Sequence, residues 1–185
     1  MKKFFFDIFF SFFIIILLFI PMLLISIIIR FTSNGSVLYW SERVGRDNVI
    51  FKMPKFRTMH VDAPTLATDL ISDIYITPIG WYLRRLSLDE LPQLFSIMKG
   101  DMSLVGPRPA LYNQDDLIAL RTEKGVDKLL PGLTGWAQIN GRDDLSMEEK
   151  VAFDVKYLNN HSFLLDLKIL WVTILTVIKQ DNVLH

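Results

Sequence analysis

Phe4 to Ile29 constrains this chain more than any other stretch. These 26 residues are almost wholly apolar, and Asp7 is their only charge. As a helix they extend about 39 Å at 1.5 Å per residue, enough to cross a bilayer. The run is too long for the apolar core of a signal peptide, and no small-residue cleavage site follows it. Lys2 and Lys3 precede the run, and Arg30, Arg43 and Arg46 follow it. Basic residues on both flanks ask for both ends to lie on the cytoplasmic side, which argues against a plain span. Pro21 offers a way to meet that demand. It lacks a backbone donor and clashes with the carbonyl four residues back, so it kinks a helix. A helix broken there could enter one leaflet and return. An ordinary proline-kinked span fits equally well, because prolines are frequent in membrane helices.

The remaining composition narrows the partners. Formal net charge is zero, so no global basic field points to nucleic acid. Cysteine is absent, which excludes a thiolate nucleophile, a disulfide framework and a cysteine metal site. A second apolar stretch, Leu165 to Ile178, carries Asp166 and Lys168. Its uncharged run of ten residues from Ile169 is too short to span. With Trp171 in it, it reads either as a buried helix or as one lying on the bilayer.

In the body, Ser36 to Val44 reads as a strand, Gly45-Arg46-Asp47-Asn48 as a turn and Val49 to Met53 as the return strand. The extended pattern continues through Lys55-Phe56-Arg57-Thr58-Met59. Alternation puts Lys55 and Arg57 on one face and Phe56 on the other. Two cations facing one way suit a phosphate, although such a face is more often merely solvated.

Thr77-Pro78 is a helix start, with Thr as N-cap and Pro at the first helical position. That helix carries Arg84 and Arg85. Ser87-Leu88-Asp89-Glu90 reads as a second start, a capping box with Glu90 three residues after Ser87. Leu91, Leu94, Phe95 and Met98 continue with helical spacing and Gly100 ends the element. Asp89 is then expected on a first turn, where the helix dipole favours anions. A lone S-x-x-E motif is usually only a cap. Arginines on both sides of this acidic pair turn the reading towards phosphate chemistry. Gly106-Pro107-Arg108-Pro109 strengthens it, because the prolines fix the backbone around Arg108 and leave a guanidinium that loses little entropy on gripping phosphate oxygens.

Pro131 to Arg142 contains Gly132, Gly135 and Gly141, which would let backbone approach a ligand closely, with Gln138 and Arg142 as polar groups to present. It is neither a dinucleotide fingerprint nor a P-loop. His60 with Asp62, and Asp143 with Asp144, have no metal-specific spacing and read as surface or loop residues.

Taken together, Lys55-Phe56-Arg57-Thr58-Met59, Ser87 to Gln93, Lys99 to Pro109 and Pro131 to Gln138 resemble the bacterial sugar transferase family, the monotopic phosphoglycosyl transferases. The resemblance runs from about residue 1 to 180. It implies transfer of a sugar-1-phosphate from a UDP-sugar to polyprenyl (undecaprenyl) phosphate, with release of UMP and a requirement for Mg²⁺. This is an opening membrane step of glycoconjugate assembly, ahead of downstream glycosyltransferases. By the motif match Asp89 is the nucleophile and forms a phosphosugar-enzyme intermediate. Glu90 stays open among cap, base and, with Asp89, metal ligand. Lys55, Arg57, Arg84, Arg108, Gln138 and Arg142 are the expected phosphate-binding groups.

The fold expected is α/β, predominantly helical with a small β-hairpin. Residues 1–32 form a re-entrant membrane helix broken near Pro21. Residues 33–185 form a catalytic domain on the cytoplasmic face of the bacterial inner membrane, its C-terminal helix interfacial. Small family members often have Ser before the breaking proline, where this chain has Ile20, so a shallower break is expected. The chain resembles the minimal form, and an N-acetylated donor sugar is the expectation that goes with that form. Two rivals share parts of this pattern: a metal-dependent phosphohydrolase of lipid pyrophosphates, which needs water as acceptor, and a membrane-anchored scaffold.

Overall fold

The computed structural model describes residues 2–63, 73–141 and 144–179. Helix α1 (Lys2–Thr32) lies along the rest of the protein rather than standing away from it. Asp7, Ser11, Met22, Ile25 and Ile29 recur at helical spacing and are buried, while Phe5, Phe9, Phe13, Leu17, Ile20, Leu24 and Phe31 face outward. The helical run continues through Pro21, which removes one intrahelical hydrogen bond without ending the element.

Both ends of α1 are tied to the same body. Near the start, Lys3 pairs with Asp166, and Ser103 Oγ donates to Asp7 Oδ2 at 2.7 Å. Near the end, Met22, Ile25 and Ile29 pack with Phe56 and Leu83.

Strands β1 (Leu38–Val44) and β2 (Ile50–Phe56) form the expected antiparallel hairpin, with Tyr39 opposite Lys55 and Val44 opposite Ile50. The connecting turn is tight, and Asp47 and Asn48 both take positive φ, a conformation that Asn and Asp tolerate better than other side chains.

Helix α2 (Pro78–Arg85) starts as its sequence dictates. Thr77 Oγ1 accepts from Gly80 N, and Pro78 stands at the first position. A 3₁₀ turn at Leu88–Glu90 follows, then α3 (Gln93–Lys99), closed by Gly100 at φ 86°.

The predicted capping box at Ser87 and Glu90 does not form. Ser87 sits at φ 53°, in the left-handed region, whereas an N-cap needs extended backbone. Glu90 turns instead to cations on other elements. A true capping box opens α6 (Met147–Asn160), where Ser146 and Glu149 satisfy each other's backbone donors.

A second strand pair, absent from the sequence reading, lies at the centre. Strand β3 (Ser103–Val105) runs parallel to β4 (Gly132–Thr134). Each has three residues, too few to show alternation, and the partners are distant in sequence. Helix α4 (Asp115–Glu123) precedes β4, and the single turn α5 (Trp136–Ile139) follows it.

Helix α7 (Phe163–Lys179) is buried along one side only. Ile169 and Asp166 are buried on one side, while Leu164, Trp171 and Ile178 are exposed on the other. The main core gathers Met53, Leu94, Ile97, Met102, Leu104, Val105, Tyr157 and Ile169. At about 1.5–3 kcal/mol per fully buried large apolar side chain, this cluster holds β3, α3, α6 and α7 as one unit.

Candidate active site

The site grows from the 3₁₀ turn. Leu88 and Leu91 point into the apolar cluster with Met22, Ile25, Ile29, Phe56 and Leu83, and so fix the turn against the C-terminal half of α1. Asp89 and Glu90, between those anchors, face the end of the hairpin and the Pro-Arg-Pro corner. Lys55 Nζ, from β2, lies 2.8 Å from Glu90 Oε1 and 3.7 Å from Asp89 Oδ2. Arg108 Nη2 donates to the same Glu90 oxygen at 3.1 Å. Arg84, at the end of α2, is close enough to act on the Asp89 charge, and its Nε donates to Thr58 Oγ1 at 3.0 Å.

Sequence reasoning missed Arg43 on β1. It is largely buried, donates to Ser41 Oγ and to the Pro109 carbonyl, and lies within electrostatic reach of both Glu90 and Arg108. Burial pushes its guanidinium down to about 10, with the neighbouring Arg108 charge adding to the effect, so it stays a cation at neutral pH. No local signal marks it, because a lone arginine in a strand is normally solvated.

Burial pushes the Asp89 carboxyl above the usual carboxylate range, and the charge of Glu90 adds to this; Lys55, Arg84 and Arg108 pull it back. Burial, not a helix dipole, therefore sets the character of this group. The turn precedes α3, and Asp89 lies outside that helix. Asp89 is 7% exposed and accepts no hydrogen bond among the described residues, so its lone pairs are uncommitted. Among the described residues Lys55, Arg84, Arg108 and Arg43 lie around the two carboxylates, a setting that suits an anionic ligand.

The dyad also fits a divalent cation of the Mg²⁺ kind. Such an ion takes one or two carboxylates and fills its remaining positions with substrate phosphate and water. Among the described residues no third His, Cys, Asp or Glu joins the pair, so those positions would fall to the substrate and solvent.

The other expected phosphate ligands fall differently. Arg57 shares a face with Lys55, but its guanidinium reaches back to the Ser36 carbonyl at 2.7 Å and to Ser36 Oγ at 3.0 Å, and it forms no ion pair with either carboxylate. It braces the entry to β1. Gln138 turns inward, donating to the Leu133 carbonyl at 3.2 Å, with its Oε1 buried and unpartnered. Arg142 lies outside the described residues, as does Asp143.

Two glycines of the 131–142 segment, Gly132 and Gly135, are packed against backbone. A Cβ on Gly132 would collide with the Gly106 backbone, one on Gly135 with the Gly106 carbonyl, and one on Gly106 with the Leu130 carbonyl. This interlock seats the Pro-Arg-Pro corner. Gly106 N donates to the Thr134 carbonyl at 2.9 Å, and Gly132 N to the Pro107 carbonyl at 2.8 Å.

The family model for bacterial sugar transferases matches residues 1–180. The chain belongs to the bacterial sugar transferase family. It is 42% identical over 158 residues to an uncharacterized sugar transferase, EpsL, of Bacillus subtilis, covering 84% of this chain and 77% of the relative. It is 40% identical over 183 residues to the UDP-galactose-lipid carrier transferase of Erwinia amylovora, covering 88% and 38%. It is also 40% identical over 178 residues to the undecaprenyl-phosphate glucose phosphotransferase of Komagataeibacter xylinus, covering 88% and 33%. This sugar transferase sequence thus spans about three quarters of some relatives and about a third of others.

Proposed function

We propose that this sugar transferase moves a sugar-1-phosphate from a UDP-sugar to a polyprenyl phosphate, in two displacements at Asp89. The observation that carries this reading is the buried Asp89, without a hydrogen bond among the described residues, ringed by cations and seated through Leu88 and Leu91 on the apolar helix α1. The names of two relatives, a UDP-galactose-lipid carrier transferase and an undecaprenyl-phosphate glucose phosphotransferase, support the substrate class.

In the first displacement an Asp89 carboxylate oxygen attacks the β-phosphorus of the donor. The bond from that phosphorus to the bridging oxygen breaks, and UMP leaves with the oxygen. In the second, a phosphate oxygen of the lipid attacks the same phosphorus and the aspartyl–phosphate bond breaks, which restores Asp89 and leaves a polyprenyl diphosphosugar. Lys55 and Arg108 hold Glu90 between them and present cationic groups where phosphoryl charge gathers, and Arg84 flanks Asp89. Mg²⁺, when bound by Asp89 and Glu90, would add charge neutralisation at the diphosphate.

The acceptor's phosphate lies at a bilayer surface, and the structure offers a matching face. The outward side of α1, with the exposed side of α7, forms an apolar surface with no protein over it among the described residues. Both ends of α1 rest on the same body, so in this reading the helix stays beside the catalytic domain in one leaflet, on the cytoplasmic face of the inner membrane, where downstream glycosyltransferases would meet the product. The test is radiolabelled UDP-sugar without lipid acceptor, followed by a UMP-release screen. Label should stay on the wild type and not on Asp89→Asn; equal labelling of both ends the covalent mechanism. The screen sets the N-acetylated donors expected of minimal members against UDP-galactose and UDP-glucose.

A further inference from the structure

The Pro-Arg-Pro corner has an unusual demand. Two prolines leave it short of donors, while its successive carbonyls need partners in a region largely closed to water. The fold meets the demand one carbonyl at a time. Gly132 N serves Pro107, Arg43 Nη1 serves Pro109 at 3.1 Å, and Val44 N serves Ala110 at 3.0 Å. The Arg108 carbonyl is met by Nη1 of Arg121 at 2.8 Å, from α4. Arg121 is itself held. Its Nε and Nη2 both donate to Asp154 Oδ2, at 3.0 and 2.7 Å, and Asp154, on α6, is 2% exposed.

We infer that Arg121 is a positioning residue for phosphoryl transfer: locked by Asp154, it fixes the main chain of Arg108 and so aims the Arg108 guanidinium at the phosphate site beside Glu90. The geometry favours this over a simple cross-link between α4 and α6. A cross-link needs only the two bonds to Asp154, yet the third arm of the same planar group ends on the one residue of the corner whose side chain enters the site. Lysine cannot take this place, because a single ammonium has no fork to span Asp154 and the carbonyl together. The inference rests on the reading of Arg108 as a phosphate ligand.

The test is a double-mutant cycle on the full chain in detergent, with Arg121→Lys, Arg108→Lys and both together, read by UMP release and by thermal unfolding. Hydrogen exchange of segment 104–114 accompanies it. Arg121→Lys should lower kcat/KM roughly 10- to 100-fold, with faster exchange in that segment, and should cost less than about twofold once Arg108 is already replaced. Asp154→Asn should reproduce both effects in a weaker form, and it replaces Arg121→Lys if that variant does not fold. Equal losses from Arg121→Lys in both backgrounds, with unchanged exchange at 104–114, would make the pair a structural cross-link and overturn the inference. An Arg108→Lys enzyme as active as wild type would instead remove the reading of Arg108. The exchange measurement does not depend on activity, so it separates the two failures.

Discussion

Gly80→Ala is a substitution for which helix propensity and tertiary packing give opposite answers. Gly80 lies inside α2, where alanine is favoured over glycine by about 1 kcal/mol, so propensity alone makes the change stabilising. Packing reverses the sign. A Cβ at Gly80 would lie 2.7 Å from the Thr58 carbonyl carbon and 2.8 Å from its Cα, and nearer still to its oxygen. Restoring ordinary contact requires α2 and the segment at Thr58 to separate by about 1 Å or more, a displacement that can cost about 100-fold in rate when it reaches a site.

Three contacts depend on that closeness. Thr77 N and Thr77 Oγ1 both donate to the Thr58 carbonyl, at 2.9 and 3.1 Å. Arg84, one helical turn beyond Gly80, donates to Thr58 Oγ1. Overpacking costs about 1–3 kcal/mol, and two weakened hydrogen bonds about 1 kcal/mol each. Against the propensity gain, the net loss is about 2–4 kcal/mol, or roughly 5–15 °C in midpoint for a chain this size. The assay is thermal unfolding of purified protein in detergent beside UMP release, with kcat/KM expected to fall 10- to 100-fold as Arg84 shifts. A Gly80→Ala protein that is as stable as wild type and turns over normally would refute the reasoning. Gly125→Ala is the contrast. Its φ of +75° costs a side chain about 1 kcal/mol, but nothing lies within 4 Å, so stability should fall with activity intact.

Three further outcomes follow from the same structure. Asp89→Asn should abolish turnover yet unfold no earlier than wild type, because it removes a buried carboxylate whose ionised form burial disfavours. The pH dependence has a definite sign. The folded Asp89 carboxyl titrates above its unfolded value of about 3.9, so its contribution to stability is greatest at low pH and is lost as pH rises through the raised value. Turnover, which needs the ionised form, should show an acid limb above the ordinary carboxylate range, and Asp89→Asn should flatten the matching slope in a plot of unfolding midpoint against pH. Tyr157→Phe removes the one hydroxyl donor that lies 2.6 Å from Asp166 Oδ1 and 3.3 Å from the Val105 carbonyl, and should cost about 1–3 kcal/mol by denaturant unfolding.

Several elements were legible in the chain because their causes are local. The Thr77-Pro78 helix start, the hairpin and the Gly100 stop depend on residues within one or two turns of each other, and each forms as read. Lys55, Arg84 and Arg108 were picked out as cations and do meet at the dyad. Other expectations failed where a distant partner outbid a local one. Ser87 and Glu90 have the spacing of a capping box, but Lys55 and Arg108 take the Glu90 carboxylate. Other contacts were simply not announced by the chain: Gly132 and Gly135 pack on the Gly106 backbone, and the Arg57 guanidinium hydrogen-bonds Ser36.

The sequence by itself determined the apolar helix, the acidic pair and the rigid Arg108 corner, because hydropathy, charge and proline geometry are properties of the residues and their neighbours. Only the tertiary structure decided which side of α1 is covered, that Asp89 is buried, and that Arg43, Arg121 and Asp154 serve the corner. Those features arise from contacts between residues tens of positions apart. Arg121 and Asp154, 33 positions apart, find each other only when α4 and α6 pack. The character of the dyad is likewise set by what surrounds it: low exposure raises the cost of its charge, and cations gathered from β1, β2, α2 and the corner after β3 make that charge tolerable.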